Sequence, residues 1–341
     1  MTETQYYGQI KNKKISIFGI TPPPFGGVSI HIQRVAQKFK ENKNQVYHFK
    51  TEFRGRRYVL PFYLLYAAFF LIKNKIDIVY YHSLSQPNSF TEISFLVQLK
   101  KLLRFNLVLV EHNCQHMYKR KKRQIKHFNR ALKNVNHLVF MGKLPHKSYT
   151  DNGVNINKKY TIDHAFLPPD ITQANNILKS YPTALHNFIK KHKTLLLANA
   201  SNLSFTNGKE VYGLNKCINA VSSLKQGYPY IGLILALSHI GNKEYFNKLL
   251  LNIKNLDLEK NIFFLTGRQE IWPLFKIVDI FLRPTLCDGA SISVKEAIMC
   301  SATVIASNVC KRPSEVTTFD IKDEADFIKK IKNEIRQRQE K

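Results

Sequence analysis

The sequence predicts an α/β protein made of two doubly wound units in tandem. Short apolar, β-rich runs alternate with helical stretches along the whole chain, and a proline-bearing connection near the middle is followed by a restart of the same alternation. The length of 341 residues agrees, since it exceeds one ordinary core and suits two domains of roughly 150 residues.

In the first half, KISIFGI (14–20), IDIVYYH (76–82), FNLVLVEH (105–112), HLVFMG (137–142) and KYTIDHAF (159–166) are apolar on both faces, as strands of a covered parallel sheet must be. After FLPPDITQANN come TLLLANA (194–200), YIGLILAL (230–237), NIFFLTG (261–267), IVDIFLRP (277–284) and ATVIASN (302–308). The domains are placed at 1–180 and 181–341. Two such units in tandem are expected to face a central cleft with the carboxyl ends of their strands, where open α/β sheets bind ligands.

Composition narrows the function. Lys and Arg number 52 against 24 Asp and Glu, a formal charge of +28, which favours phosphates, anionic lipid or nucleic acid. A hydrophobic content of 44% is that of a globular chain. The cysteines, Cys114, Cys217, Cys287, Cys300 and Cys310, form no CxxC pair and read as reduced thiols. MTETQYYGQIKNKK lacks the apolar core of a signal peptide, so a cytoplasmic location is expected. The longest apolar run, Tyr58–Ile72, contains Pro61 and falls short of the roughly 20 residues that span a bilayer. It reads as a buried helix between two strands, the alternative being a helix dipping into a membrane surface.

Two loops at strand ends carry chemistry. In TPPPFGGVSIHIQRVAQKF, Gly26 and Gly27 stand immediately before a helical stretch, so backbone N–H groups and a helix N-terminus approach a ligand together. The same pair also suits a plain tight turn. In CDGASISVKEAIMC, Ser291, Ile292 and Ser293 open a helix after a strand, with Asp288 before the turn and Glu296 about one turn inside it. Phosphate oxygens fit the helix start, and the two carboxylates suit hydroxyl groups on either side. A serine-capped helix with a solvated Glu296 is the alternative.

GGVSIHIQRVA, followed much later by RPTLCDGASISVKEAIMCSATVIASNVCKRPSEV, resembles the large retaining glycosyltransferase family of the GT-B fold, the group 1 type that builds bacterial polysaccharides and glycolipids. The resemblance spans nearly the whole chain. It implies an acceptor-binding N-terminal domain and a nucleotide-sugar-binding C-terminal domain, with Pro168 and Pro169 where the chain crosses between them. By the same resemblance Glu296 binds the ribose hydroxyls, Asp288 the transferred sugar, Gly27 and Ser291–Ser293 the diphosphate, and His112 lies close to the sugar. The family pairs two glutamates at the spacing kept here by Asp288 and Glu296; the first is aspartate in this chain.

A second departure lies in ANASNLSFTNGKEVYGLNK, where the family carries an arginine and a lysine that contact the diphosphate. Lys209 is the nearest basic candidate, and Arg268 or Arg283 is an alternative source of the charge. Helix N-termini and cations stabilise a leaving diphosphate without a metal, so no metal or cofactor is expected beyond the nucleotide-sugar donor. The rival ligand cluster Glu111, His112, Cys114 and His116 would need a continuing strand, and Asn113 suggests a loop. The basic run 118–133 reads as a helix with charge over most of its circumference, docked on an anionic membrane surface or simply solvated. Nucleic acid is a poor partner, because no aromatic platform interleaves the run.

The expected function is transfer of a sugar from a nucleoside diphosphate sugar to a growing lipid-linked cell-surface glycan by an enzyme peripheral to the inner face of the cell membrane. The competing class is a noncatalytic basic protein of the same fold that binds anionic membrane or nucleic acid.

Overall fold

The computed structural model describes residues 9–22, 27–50, 60–83, 89–112, 120–156, 160–163, 166–206, 208–267, 270–288 and 291–340; Gly26, Cys114, His116, Lys119, Arg268 and Gly289 lie outside them. The chain divides into two compact units, one running through Leu167 and the other from Pro168 onward.

The first unit alternates β1 (Lys14–Gly19), α1 (Gly27–Glu41), β2 (Gln45–Lys50), α2 (Leu60–Asn74), β3 (Ile78–Ser83), α3 (Ser89–Leu103), β4 (Asn106–Glu111), α4 (Lys122–Leu132), β5 (His137–Met141), α5 (Lys143–Asp151) and β6 (Tyr160–Asp163). Its sheet is parallel throughout, in the order β2-β1-β3-β4-β5-β6. The period of two along each strand sorts side chains between two cores. Val79, Tyr81, Leu107 and Leu109 pack on one face with α2, α3 and α4, whereas Ile78, Tyr80, Val108 and Val110 pack on the other against Ile32, Val35 and Phe39 of α1.

The second unit begins with α6 (Ala174–Lys179) and α7 (Thr183–Lys191), then β7 (Thr194–Leu203), the short antiparallel hairpin β8 (Phe205–Thr206) and β9 (Lys209–Glu210), and α8 (Leu214–Leu224). It continues through β10 (Ile231–Gly241), α9 (Lys243–Asn255), β11 (Ile262–Thr266), β12 (Ile280–Arg283), α10 (Ile292–Met299), β13 (Thr303–Ser307), β14 (Val316–Phe319) and α11 (Glu324–Gln339). The order β11-β10-β7-β12-β13-β14 is again fully parallel. Leu196, Ala198, Leu233 and Leu235 face one core; Leu195, Leu197, Ile234 and Phe281 face the other.

Each strand named from sequence is present; the edge strands β2 and β14 and the short hairpin β8–β9 are added. In β2 and β14 half or more of the residues keep contact with solvent, so neither shows the apolar run that marks an interior strand. Two other expectations are corrected. The run 58–72 is not a buried helix: α2 turns Tyr63, Ala67 and Leu71 into the core but leaves Phe62, Leu65, Tyr66, Phe69 and Ile72 exposed by 55–74%. No helix among the described residues is long and apolar enough to cross a membrane. Nor does the basic run carry charge over most of its circumference. Helix α4 buries Ile125, Phe128, Ala131 and Leu132, and Arg120 just before it lies 4.4 Å above the Phe90 ring.

Gly213 sets where α8 begins. Its φ is +70°, and a Cβ there would strike the carbonyl oxygen of Pro284 in the loop after β12. Gly213→Ala should therefore destabilise the chain by more than the about 1–2 kcal/mol of a left-handed residue alone, read as a lower urea midpoint at unchanged slope.

Candidate active site

In the second unit the carboxyl ends of β7, β12 and β13 lie side by side, and each supplies a polar group. The Asp288 carboxylate, 7% exposed, takes Nε and Nη2 of Arg283 at 3.1 and 3.3 Å and Nη1 of Arg312 at 2.9 Å. Arg283 ends β12 and also donates through Nη1 to the carbonyl and side-chain oxygens of Asn199 on β7, both at 3.1 Å. Arg312 anchors Nε on the carbonyl of Ser307, the last residue of β13, at 3.0 Å. Burial pushes the Asp288 carboxyl up, but the two guanidiniums overcome it and hold the group below its ordinary value. The cluster is thus one carboxylate between two cations.

The hairpin loop completes the surroundings. The Tyr212 ring lies 5.1 Å below the Arg283 guanidinium, and its hydroxyl pairs with Ser201 at 2.7 Å. Glu210 accepts the N–H groups of Tyr212 and Leu214 at 2.6 and 2.9 Å, capping α8. Burial raises its carboxyl despite those bonds and Arg283. Lys209 is exposed on β9.

Helix α10 starts as the sequence implies, with Ser291 at its N-cap, but the serine does not cap by its side chain. It sits at φ +30°, and its hydroxyl is buried with no hydrogen-bond partner among the described residues. The same is true of Thr285 Oγ1 and of Arg312 Nη2. Three orphaned polar atoms around one loop are unusual, because buried polar groups are nearly always paired. Ile292 and Ser293 form the first turn, whose N–H groups an α-helix leaves unused. Glu296 is buried at 5% exposure one turn further on. Arg312 was not singled out from sequence; it stands 24 residues beyond Asp288 and is brought back by the pairing of β12 with β13.

In the first unit Gly27 is the exposed first residue of α1, and His112 follows the last residue of β4. His112 does not join a cluster with Glu111. Strand alternation sends Glu111 to the opposite face, where Tyr149 donates to it at 2.7 Å. His112 instead meets His82 of β3, Nε2 to Nδ1 at 2.9 Å, and His31 of α1 at a ring separation of 5.2 Å. Burial, then His31, depresses His112 well below its ordinary value, so its imidazole is neutral at pH 7.

Residues 190–335 match the family model of Glycosyl transferases group 1. The second unit is similar to the group 1 glycosyltransferase domain. Over the whole chain the fold is GT-B, shared with solved glycosyltransferases. HepE of Anabaena, solved with UDP, is 13% identical with a TM-score of 0.64 over 96% of this chain and 91% of its own. A glycosyltransferase from Rickettsia africae is 15% identical with a TM-score of 0.67, covering 95% and 89%. The sucrose-phosphate synthase of Thermosynechococcus elongatus is 12% identical with a TM-score of 0.64, covering 95% and 90%. No curated protein sequence matches the chain.

Asp288 ties the loop after β12 to the loop after β13 in the second unit. Asp288→Asn removes the carboxylate to which both buried guanidiniums are hydrogen-bonded and should cost about 3–5 kcal/mol at pH 7. Since the folded-state value is depressed, this stabilisation is complete above the ordinary carboxylate value and is lost as pH falls through the folded one. Urea unfolding of wild type and variant should thus converge in strong acid.

Proposed function

We propose that the enzyme transfers a sugar from a nucleoside diphosphate sugar held by the second unit to a lipid-linked glycan acceptor held by the first. The observation that carries this is the Arg283–Asp288–Arg312 cluster beside the N-terminus of α10. A departing diphosphate gathers negative charge, and guanidiniums and unused helix N–H groups fixed in advance lower the energy of that charge with no reorganisation. Arg283 and Arg312 here take the place of the basic pair missing from the loop after β7, with exposed Lys209 a further cation at its rim.

In this reading Asp288 fixes both arginines and presents its carboxylate to the transferred sugar, while Glu296 accepts from the ribose hydroxyls. Gly27, at the head of α1, and His112 are the first unit's candidates for the diphosphate and the sugar by the family resemblance alone. Retention of anomeric configuration follows from the family resemblance. HepE has been solved with UDP-glucose, which makes UDP-hexoses the first donors to try.

The acceptor reading draws on α2. Phe62, Leu65, Tyr66, Phe69 and Ile72 recur at helical spacing on its outer face, and Leu102 of neighbouring α3 is 74% exposed. Lys13, Lys75 and Arg104 line a hollow with Leu71, Ile72 and Leu103 at the end of that face. An apolar stripe edged with cations suits the headgroup boundary of an anionic leaflet, and is a better anchor than α4, whose apolar side is already packed. A noncatalytic membrane or nucleic-acid binder is the second reading, and donor turnover separates the two.

Two measurements follow. Release of nucleoside diphosphate from a panel of nucleotide sugars should reveal one preferred donor. By calorimetry, Glu296→Gln and Arg312→Gln should each weaken its binding by about 1–3 kcal/mol, the scale of a charged hydrogen bond; unchanged affinity in both folded variants would overturn the donor site. In flotation with anionic vesicles, Phe62→Ser with Phe69→Ser should lower the bound fraction by at least about tenfold, as expected for two large apolar side chains left in water. Replacing Lys121, Lys122 and Arg123 by glutamine should lower it less. The reverse ranking would return the anchor to α4.

A further inference from the structure

We propose that His31, His82 and His112 form a binding site for one divalent transition-metal ion, with a fourth coordination position open to water or a ligand oxygen. One nitrogen from each imidazole lies within 4.8 Å of the others. The convergence has a structural cause. His82 has the parity of Tyr80 on β3, and His112 has that of Val110 on neighbouring β4, so both reach the face covered by α1. His31 is buried one turn into that helix and completes the set from above.

The rings are disposed around a common point. Those of His82 and His112 are stacked at 5.2 Å with planes 22° apart, and His31 stands edge-on to both, at 6.0 and 5.2 Å. His82 Nδ1 and His112 Nε2 face each other at 2.9 Å, so the two nitrogens share either a proton or an ion. Zinc–imidazole bonds of about 2.0–2.1 Å in a tetrahedral site hold ligand nitrogens about 3.4 Å apart. A few tenths of an ångström of opening between His82 and His112, and closure by His31, produce that geometry. Three imidazoles with no carboxylate among them select zinc, copper, nickel or cobalt over magnesium or calcium.

This differs from the ligand set the sequence suggests around 111–116: His112 is kept, Glu111 is on the far face, and the partners come from α1 and β3. It shares His112 with the proposed function, but it does not draw on the Arg283–Asp288–Arg312 cluster of the other unit, which needs no metal at the diphosphate. A dication on three neutral ligands keeps its full charge, so the open position favours an anionic or hydroxyl oxygen.

The full chain, freed of metal by chelator and dialysis, should take up one Zn²⁺ per molecule by calorimetry. Bound Co²⁺ should give the intense visible absorption of a four-coordinate site. His31→Gln and His82→Gln should each weaken zinc binding by at least about a hundredfold, more than loss of an outer-shell partner, while His239→Gln on the exposed end of β10 should leave it unchanged. Electron paramagnetic resonance of the Cu²⁺-loaded wild type, which needs no variant to fold, should count three imidazole nitrogens. Absence of stoichiometric uptake, fewer than three nitrogens, or unaltered affinity in both folded variants would each overturn the site.

Discussion

Burial of both faces of two parallel sheets is the constraint on which the other features rest. A strand with helices above and below can place polar side chains without loss only where it runs out of the sheet. The polar residues that matter accordingly gather at carboxyl ends. His82 and Ser83 close β3, Glu111 closes β4, Arg283 closes β12 and Ser307 closes β13, all of them buried. Alternation then decides which side of the sheet each one serves, and so separates Glu111 from His112 although they are adjacent in sequence.

Charge is the second organising force. Most of the surplus of 28 positive charges is spread over the surface, where solvent screens it. At the head of α10 two guanidiniums are drawn inside around one carboxylate, and desolvation strengthens what they can do to an anion. That arrangement is held from several directions at once: Asn199 and Tyr212 on Arg283, the Ser307 carbonyl on Arg312, and Glu210 on the turn beneath. Rigidity of this kind is what preorganised stabilisation of a leaving group demands.

The outer face of α2 obeys a different logic. Its inward residues, Tyr63, Ala67 and Leu71, fasten the helix to the core, and Tyr66 meets the Phe49 ring at a ring separation of 5.4 Å, so Phe62, Leu65, Phe69 and Ile72 on the far side are left over from that packing. An exposed apolar patch of that kind marks a candidate contact surface, and the lysines and arginines beside it are what favour the anionic boundary proposed above.

The sequence by itself determined the doubly wound units, because interior parallel strands are continuous apolar runs and nothing else so short is apolar on both faces. It also placed Asp288, Ser291, Ser293 and Glu296 around one helix start, since all four lie within a single local stretch. Edge strands β2 and β14 escaped because one side of each meets water. Tertiary structure alone decided three further matters. Arg312 reaches Asp288 only because β13 is hydrogen-bonded beside β12. His31, His82 and His112 meet only because α1 lies across the ends of two adjacent strands, an encounter between residues 51 and 30 positions apart that no local pattern encodes. The side of α2 that faces solvent was likewise undecided, since an apolar helix has the same composition whether covered or bare, and which stripe turns inward is fixed by the shape of the core that receives it.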